Sequence, residues 1–324
     1  MAEPRTEQTA TRNASRASIA DYAPTYGALA ALILLFIINA FATPNFLDVN
    51  NFRNILLQVA PTVLVATGMT FVIATGGIDL SVGSVMAIAS AVAAVLLGQG
   101  VAVALLIALL AAAAVGTLNG ALISGFRIQP IIVTLATLIT GRGVAQVISN
   151  GGQLIPFENA RFAWLGQGLV GPVPVQVGLM ALVVAAAIFV MRATTFGRYV
   201  AAVGGNEAAA RLAGVRVRRT KIAVYALAGL LAGLAGLIET ARLSASDAQK
   251  VGLNIELDAI AAVVVGGTPL TGGRATVIGT LIGALIMQLI TTSFNMNGVR
   301  FAWALVIKAA IIIVAVYIQR PKVA

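Results

Sequence analysis

The sequence predicts an all-α polytopic membrane protein with about ten transmembrane helices, some of them broken or short, in two related halves. Three observations carry that expectation. Of 324 residues, 59% are hydrophobic and 10% charged, against roughly 25% charged in an average soluble domain, too few to solvate a globule. Apolar runs of roughly 17 to 25 residues recur from Pro24 to Ile318, the length a helix needs to cross about 30 Å of hydrocarbon. Lys and Arg gather in alternate loops between those runs.

Gly, Pro and charged residues punctuate the runs and place the crossings at 24–42, 55–75, 80–98, 101–123, 130–149, 175–192, 221–241, 256–266, 275–294 and 301–318. The eighth is too short to span alone. One integral-membrane domain, 23–319, is therefore expected between an N-terminal arm, 1–22, and a short tail, 320–324. The arm is rich in Thr, Ser, Ala and Arg and leads straight into a full-length span. The expectation is a disordered cytoplasmic arm rather than a cleaved signal peptide.

Orientation follows from the basic residues, which are retained in cytoplasmic loops. With the N-terminus inside, the outer side holds only Arg53, Arg161, Arg242, Lys250 and Arg300, while Arg142 and Lys308 fall within spans and the rest lie inside. Both termini are expected in the cytoplasm. The net charge of +10 has no clustered basic face on a soluble module, so nucleic acid is not an expected partner. Cys and His are absent, which removes disulfides, thiolate chemistry and imidazole metal ligands; no metal site is expected.

The inner loop 192–221 holds Arg192, Arg198, Arg211, Arg216, Arg218, Arg219 and Lys221. Within it, Gly204 to Gly214 reads as a short isolated helix: Asn206 caps, Glu207 favours the positive end, Ala208, Ala209 and Ala210 propagate, Arg211 sits near the negative end, and Leu212, Ala213 and Gly214 close it. Two turns are not stable unaided. Such a helix needs a partner, and on the cytoplasmic face a motor subunit is one; a simple positive-inside anchor is the plainer alternative.

A weak internal repeat joins Gly76-Gly77-Ile78-Asp79-Leu80-Ser81-Val82-Gly83 to Gly266-Gly267-Thr268-Pro269-Leu270-Thr271-Gly272-Gly273. Both segments follow an even-numbered span, a pattern of duplicated halves with broken helices around a pathway. Asp79 or Ser81 in one, and Thr271 in the other, are positioned to cap the following helix, which accounts for them without any substrate. Paired glycines at Gly116/Gly120, Gly229/Gly233 and Gly279/Gly283 point to close helix packing. The long outer loop, about 150–175, with Pro156, Phe157, Glu158 and Trp164, is either an ordered docking surface or an interfacial aromatic loop.

Charges inside spans cost roughly 2.5–3.5 kcal/mol at a helix centre, so Arg142 and Lys308 need partners, with Glu239, Asp258 and Asp79 as candidates. An uncharged polar cargo would meet hydroxyls and amides such as Gln58, Thr70, Asn119, Thr137, Gln146 and Gln288, with Arg142 beside them. No phosphate-binding loop and no nucleophile–base pair is present. The chain is not expected to bind ATP or to be an enzyme.

The stretches Gly68-Met69-Thr70, Ala74 to Ser84 (ATGGIDLSVGS), Gly204 to Val215 (GGNEAAARLAGV), Glu256 to Leu270 (ELDAIAAVVVGGTPL), Gly272 to Gly283 and Val306 to Ala309 (VIKA) resemble the permease subunits of bacterial carbohydrate ABC importers, the branch containing the ribose, xylose and galactose systems. Gly141 to Val147 and Asp247 to Ile260 resemble the galactofuranose-type subgroup, in which two different permeases pair. The resemblance implies a multi-pass protein of the inner membrane that moves a monosaccharide by alternating access. It further implies a second permease copy or paralogue, a cytoplasmic ABC ATPase that carries the ATP and Mg and docks on 206–213, and a periplasmic sugar-binding protein. An ion-coupled secondary transporter of a small polar solute, using acids such as Asp79, is the alternative.

Overall fold

A computed structural model describes residues 6–319, with the side chains of 24–300 and 302–317. Residues 1–5 of the expected arm and the expected tail, 320–324, lie outside the described residues.

The helices are α1 (Thr6–Ala42), α2 (Val49–Ala74), α3 (Val82–Leu96), α4 (Val101–Phe126), α5 (Pro130–Ile148), α6 (Ala160–Gln167), α7 (Val175–Ala193), α8 (Thr195–Gly205), α9 (Glu207–Leu212), α10 (Val217–Leu243), α11 (Ile255–Val265), α12 (Val277–Met296) and α13 (Phe301–Gln319). Every expected crossing is occupied by a helix, with ends within a few residues except that α1 begins at Thr6, 18 residues before the expected 24, and α2 at Val49, six before the expected 55. Eight of them meet the length and apolarity of a membrane span, and α11, with 11 residues, is the short one. The expected disordered arm differs: α1 is helical from Thr6. Ala, Arg, Glu and Gln there are strong helix formers, and elongating an existing span needs no new nucleus.

Four helices are central. Within the apolar windows of α2, α3, α10 and α12, 78%, 67%, 61% and 61% of residues are buried, against 11% in α1 and 22% in α4, α5 and α7. The outer helices turn exposed Leu, Ile, Val and Phe outward, such as Leu106, Leu110, Ile132, Leu182 and Phe189, a surface matched to lipid. Lipid tails are as apolar as these side chains, so helices associate through close packing instead. The paired glycines provide it. A methyl at Gly116 or Gly120 would strike the backbone of Tyr225 to Ala226 or of Ile222 on α10, and one at Gly229 would strike Ala112 and Gly116 on α4. Gly279 and Gly283 bring α12 against Gly266 and Ala262 of the α11 segment in the same way.

Two-residue strands confine β structure to the loops at one end: β1 (Ile155–Pro156), β2 (Leu169–Val170), β3 (Val173–Pro174) and β4 (Ala245–Ser246). β1 pairs antiparallel with β4, and β2 with β3. The loop between α5 and α7 is ordered on the end of α10. Asn159 caps α6 by accepting from the Phe162 amide at 3.1 Å, Gly166 packs on Ala241 and Arg242, and Gln167 donates to the Arg242 carbonyl at 3.0 Å.

Candidate functional site

At the end opposite those strands, α8 and α9 form a ledge. Asn206 caps α9, its Oδ1 accepting from the Ala209 amide at 2.9 Å, and Gly214 follows at φ +82°, the left-handed stop that glycine takes without strain. Glu207 accepts from Arg211 at 2.9 Å and from Lys221 of α10 at 2.6 Å. The Lys221 hydrogen bond, ahead of the burial that opposes it and of the Lys221 and Arg211 charges, holds the Glu207 carboxyl below its ordinary 4.5. Ala210 is buried against Val203 of α8 and Val217 of α10. The opposite face is bare: Ala208, Ala209 and Ala213 are exposed, and Leu212 is 92% exposed. A two-turn helix is thus anchored by one alanine and one carboxylate while it presents a leucine to solvent.

The ledge rests on both glycine-rich turns. A methyl at Gly204, the penultimate residue of α8, would collide with the Ala74 carbonyl and the Gly273 amide, which already bond to each other at 3.0 Å. Gly272 lies against Gly76 and Gly204. The C-terminus of α2, the loop between α11 and α12, and the end of α8 therefore meet backbone to backbone. Sequence reading took Gly204 and Gly205 as the lead-in to α9 and missed this contact, together with α8 itself.

The two turns share sequence but not path. In the first, Gly76 takes φ +76° and the chain enters α3 at Val82; in the second, Gly267, Gly272 and Gly273 take positive φ and α12 starts only at Val277. The expected caps are corrected accordingly. Thr271 lies too far upstream, and Thr276 holds the N-cap position of α12. Ser81 stands at the N-cap of α3 without capping it. Its amide and hydroxyl both donate to Asp79 Oδ1, at 2.9 and 2.6 Å. Asp79 is 1% exposed, and an acid so buried needs its lone pairs engaged.

The candidate pathway residues fall into separate groups. Asn119 donates to Ser81 Oγ at 2.9 Å and accepts from Thr137 at 2.6 Å, so both belong to the Asp79 network, which ties α3 to α4 and α5. Thr70 of α2 shares a 2.7 Å hydrogen bond with Thr280 of α12 in the core. About two to three turns nearer the strand-bearing end, Gln288 of α12 donates to Gln58 of α2 at 2.9 Å, and Gln58 is exposed. Arg142 and Gln146 are on α5 toward the same end. Arg142 donates to the carbonyls of Ala248 and Val251 at 3.0 and 2.7 Å, within electrostatic reach of Glu256, Glu239 and Asp247. The Gln146 carbonyl accepts from the Gly151 and Gly152 amides, closing the end of α5. Lys308 pairs with Asp258, donating to both carboxylate oxygens at 2.9 and 3.0 Å. Of the three candidate counter-ions, Asp258 serves Lys308, Glu239 sits near Arg142, and Asp79 serves neither.

Residues 51–316 match the family described as branched-chain amino acid transport system / permease component. The chain belongs to that permease family. Among its relatives, the ribose import permease protein of Escherichia coli (strain K12) is 45% identical over 299 residues, covering 91% of this chain and 93% of that one. The ribose import permease protein of Bacillus subtilis (strain 168) is 41% identical over 299 residues, with 91% and 92% covered. The galactofuranose transporter permease protein of Escherichia coli (strain K12) is 39% identical over 306 residues, with 91% and 87% covered. No solved structure matches.

Proposed function

We propose that this chain is the transmembrane subunit of an ATP-driven importer of a monosaccharide in the bacterial inner membrane. The family match supports a transport permease, the sugar named for each of these relatives supports the cargo class, and the L-arabinose ABC transporter permease protein of Azospirillum brasilense, 39% identical, supports the ABC class. The single observation that carries the mechanism is the backbone contact of Gly204 with Ala74 and Gly273. A cytoplasmic ATPase docks on the bare face of α9, with Leu212 as its central contact. Movement of the α8–α9 ledge then passes to α2 and to the α11–α12 loop at once.

In this reading the α9 end and both termini face the cytoplasm, ATP and Mg reside on the partner, and a periplasmic binding protein delivers sugar to the strand-bearing end. A second permease copy or a paralogue completes the pathway along the α2–α12 face. There Gln58 and Gln288 offer amides to sugar hydroxyls, and Thr70 and Thr280 lie deeper. Asp79, sealed by Ser81, acts as a structural brace and not as an ion-coupling acid.

Uptake of labelled ribose into vesicles carrying the full complex tests the reading. Uptake that survives collapse of the ion gradients and stops when the ATPase is inactivated is expected. Uptake that follows the ion gradient without ATP overturns it.

A further inference from the structure

Beside α9, a cavity of about 670 Å³ opens between the α4–α5 turn and the start of α10. Arg127, Arg216, Arg218 and Arg219 line it, along with Glu207, Arg211 and Lys221. The single acid is already engaged by Arg211 and Lys221. Among the described residues, the other four guanidiniums have no hydrogen bond or ion pair in which their side chains take part. Four exposed guanidiniums around one concavity are placed to donate together to one anion.

Two further observations say which anion. Arg127 follows α4 in the left-handed region at φ +57°. Glycine or asparagine ordinarily holds such a position, and a side chain there is strained. The strain persists with a guanidinium on the cavity wall. Next to it, Phe126, Ile128, Ile131 and Ile132 are 75%, 37%, 40% and 58% exposed, so a basic cavity adjoins an apolar, lipid-facing strip of α4 and α5. An anionic head on hydrocarbon chains satisfies both at once. Retention of basic residues on one side of the membrane accounts for the charge, but not for the concavity or for the left-handed arginine. The exposed docking residue Leu212 does not line the cavity, whereas Glu207 and Arg211 of the same helix do, so the cavity borders the face of α9 that receives the ATPase without including its central contact.

The geometry points to a binding site for an anionic phospholipid, with the phosphodiester held by Arg127, Arg216, Arg218 and Arg219 and the acyl chains lying along Phe126, Ile131 and Ile132. Basic pockets at the ends of membrane helices recognise anionic headgroups through such charge-assisted hydrogen bonds.

The test is lipid binding by the full-length chain in detergent, followed by native mass spectrometry during titration with phosphatidylglycerol or phosphatidylcholine. Phosphatidylglycerol is expected to bind at least about tenfold more tightly. Arg127→Gln with Arg218→Gln is expected to remove that preference, by roughly tenfold or more for two lost charges. Arg127→Lys with Arg218→Lys should keep most of it. If the first pair does not fold, Arg216→Gln with Arg219→Gln carries the same expectation without touching the left-handed position. Three results overturn the assignment: an equal loss in Arg192→Gln with Arg198→Gln, which means general surface charge; competition by millimolar inorganic phosphate alone, which means a free-anion site; and variants that keep their lipid but shed the ATPase, which means a protein-docking surface.

Discussion

Gly204 of α8 lies so close to Ala74 of α2 that a single methyl group has no room between them. Ala74 ends a helix that is mostly buried, and its carbonyl also receives the Gly273 amide at 3.0 Å. One point on the ledge thus touches both broken segments of the bundle. Protein interiors respond to a push at such contacts by moving as blocks, because close-packed backbones do not compress.

Leu212 is 92% exposed, so replacing it removes little from the fold. Leu212→Asp should leave insertion and thermal stability within about 0.5 kcal/mol of wild type, as for surface changes generally. It should weaken ATPase assembly by at least tenfold, since it sets a charge in an apolar contact. Co-purification of the ATPase subunit with the variant checks the second, and a thermal melt of the membrane-inserted variant checks the first.

Glu207 predicts a pH dependence of defined sign. Its carboxyl sits below the ordinary 4.5 in the folded chain, mainly through the Lys221 hydrogen bond. The contribution of that link is complete above the unfolded value and is lost as pH falls through the lowered folded value. The hydrogen-exchange protection factor of α9, measured against the intrinsic rate at each pH, should therefore fall only below about pH 4.5, and Glu207→Gln should show lower protection at neutral pH with no further acid step. Unchanged protection in Glu207→Gln counts against the anchoring role.

Lys308 has an 8% exposed side chain paired with Asp258, whose side chain is 35% exposed. Lys308→Met strands the carboxylate and should lower stability by about 1–3 kcal/mol. Lys308→Met with Asp258→Leu should recover most of that loss. A thermal-shift cycle on the four proteins measures the coupling.

Arg142 anchors the loop between β4 and α11 through the carbonyls of Ala248 and Val251. Arg142→Met should free that loop, raising the protease sensitivity of 247–254 severalfold while the helices remain intact. Unchanged digestion would remove the anchoring role.

The crossings were readable in the sequence because lipid imposes one rule, about twenty apolar residues between polar breaks, on every span. The α9 cap and stop were readable for a related reason: Asn206 and Gly214 act on backbone within their own turn. What stayed hidden is tertiary. Lys221 reaches Glu207 across 14 residues of chain, and Thr280 reaches Thr70 across 210; no local pattern encodes either. The helix α8 was hidden within a basic loop, with Thr194 as its one local signal, accepting from the Gly197 amide at 3.3 Å. The caps at Ser81 and Thr271 were misjudged because similar letters follow different paths: burial of Asp79 claims the Ser81 hydroxyl, and two left-handed glycines delay the start of α12.

The most direct test of the ledge is Gly204→Ala in the complete complex reconstituted into liposomes, with ATP hydrolysed and sugar imported measured in the same vesicles. The added methyl displaces α8 from Ala74 without touching the exposed face of α9. ATPase binding and hydrolysis are therefore predicted to persist while import falls at least tenfold. A wild-type ratio of sugar moved to ATP consumed would show that the ledge does not carry the stroke to α2 and the α11–α12 loop.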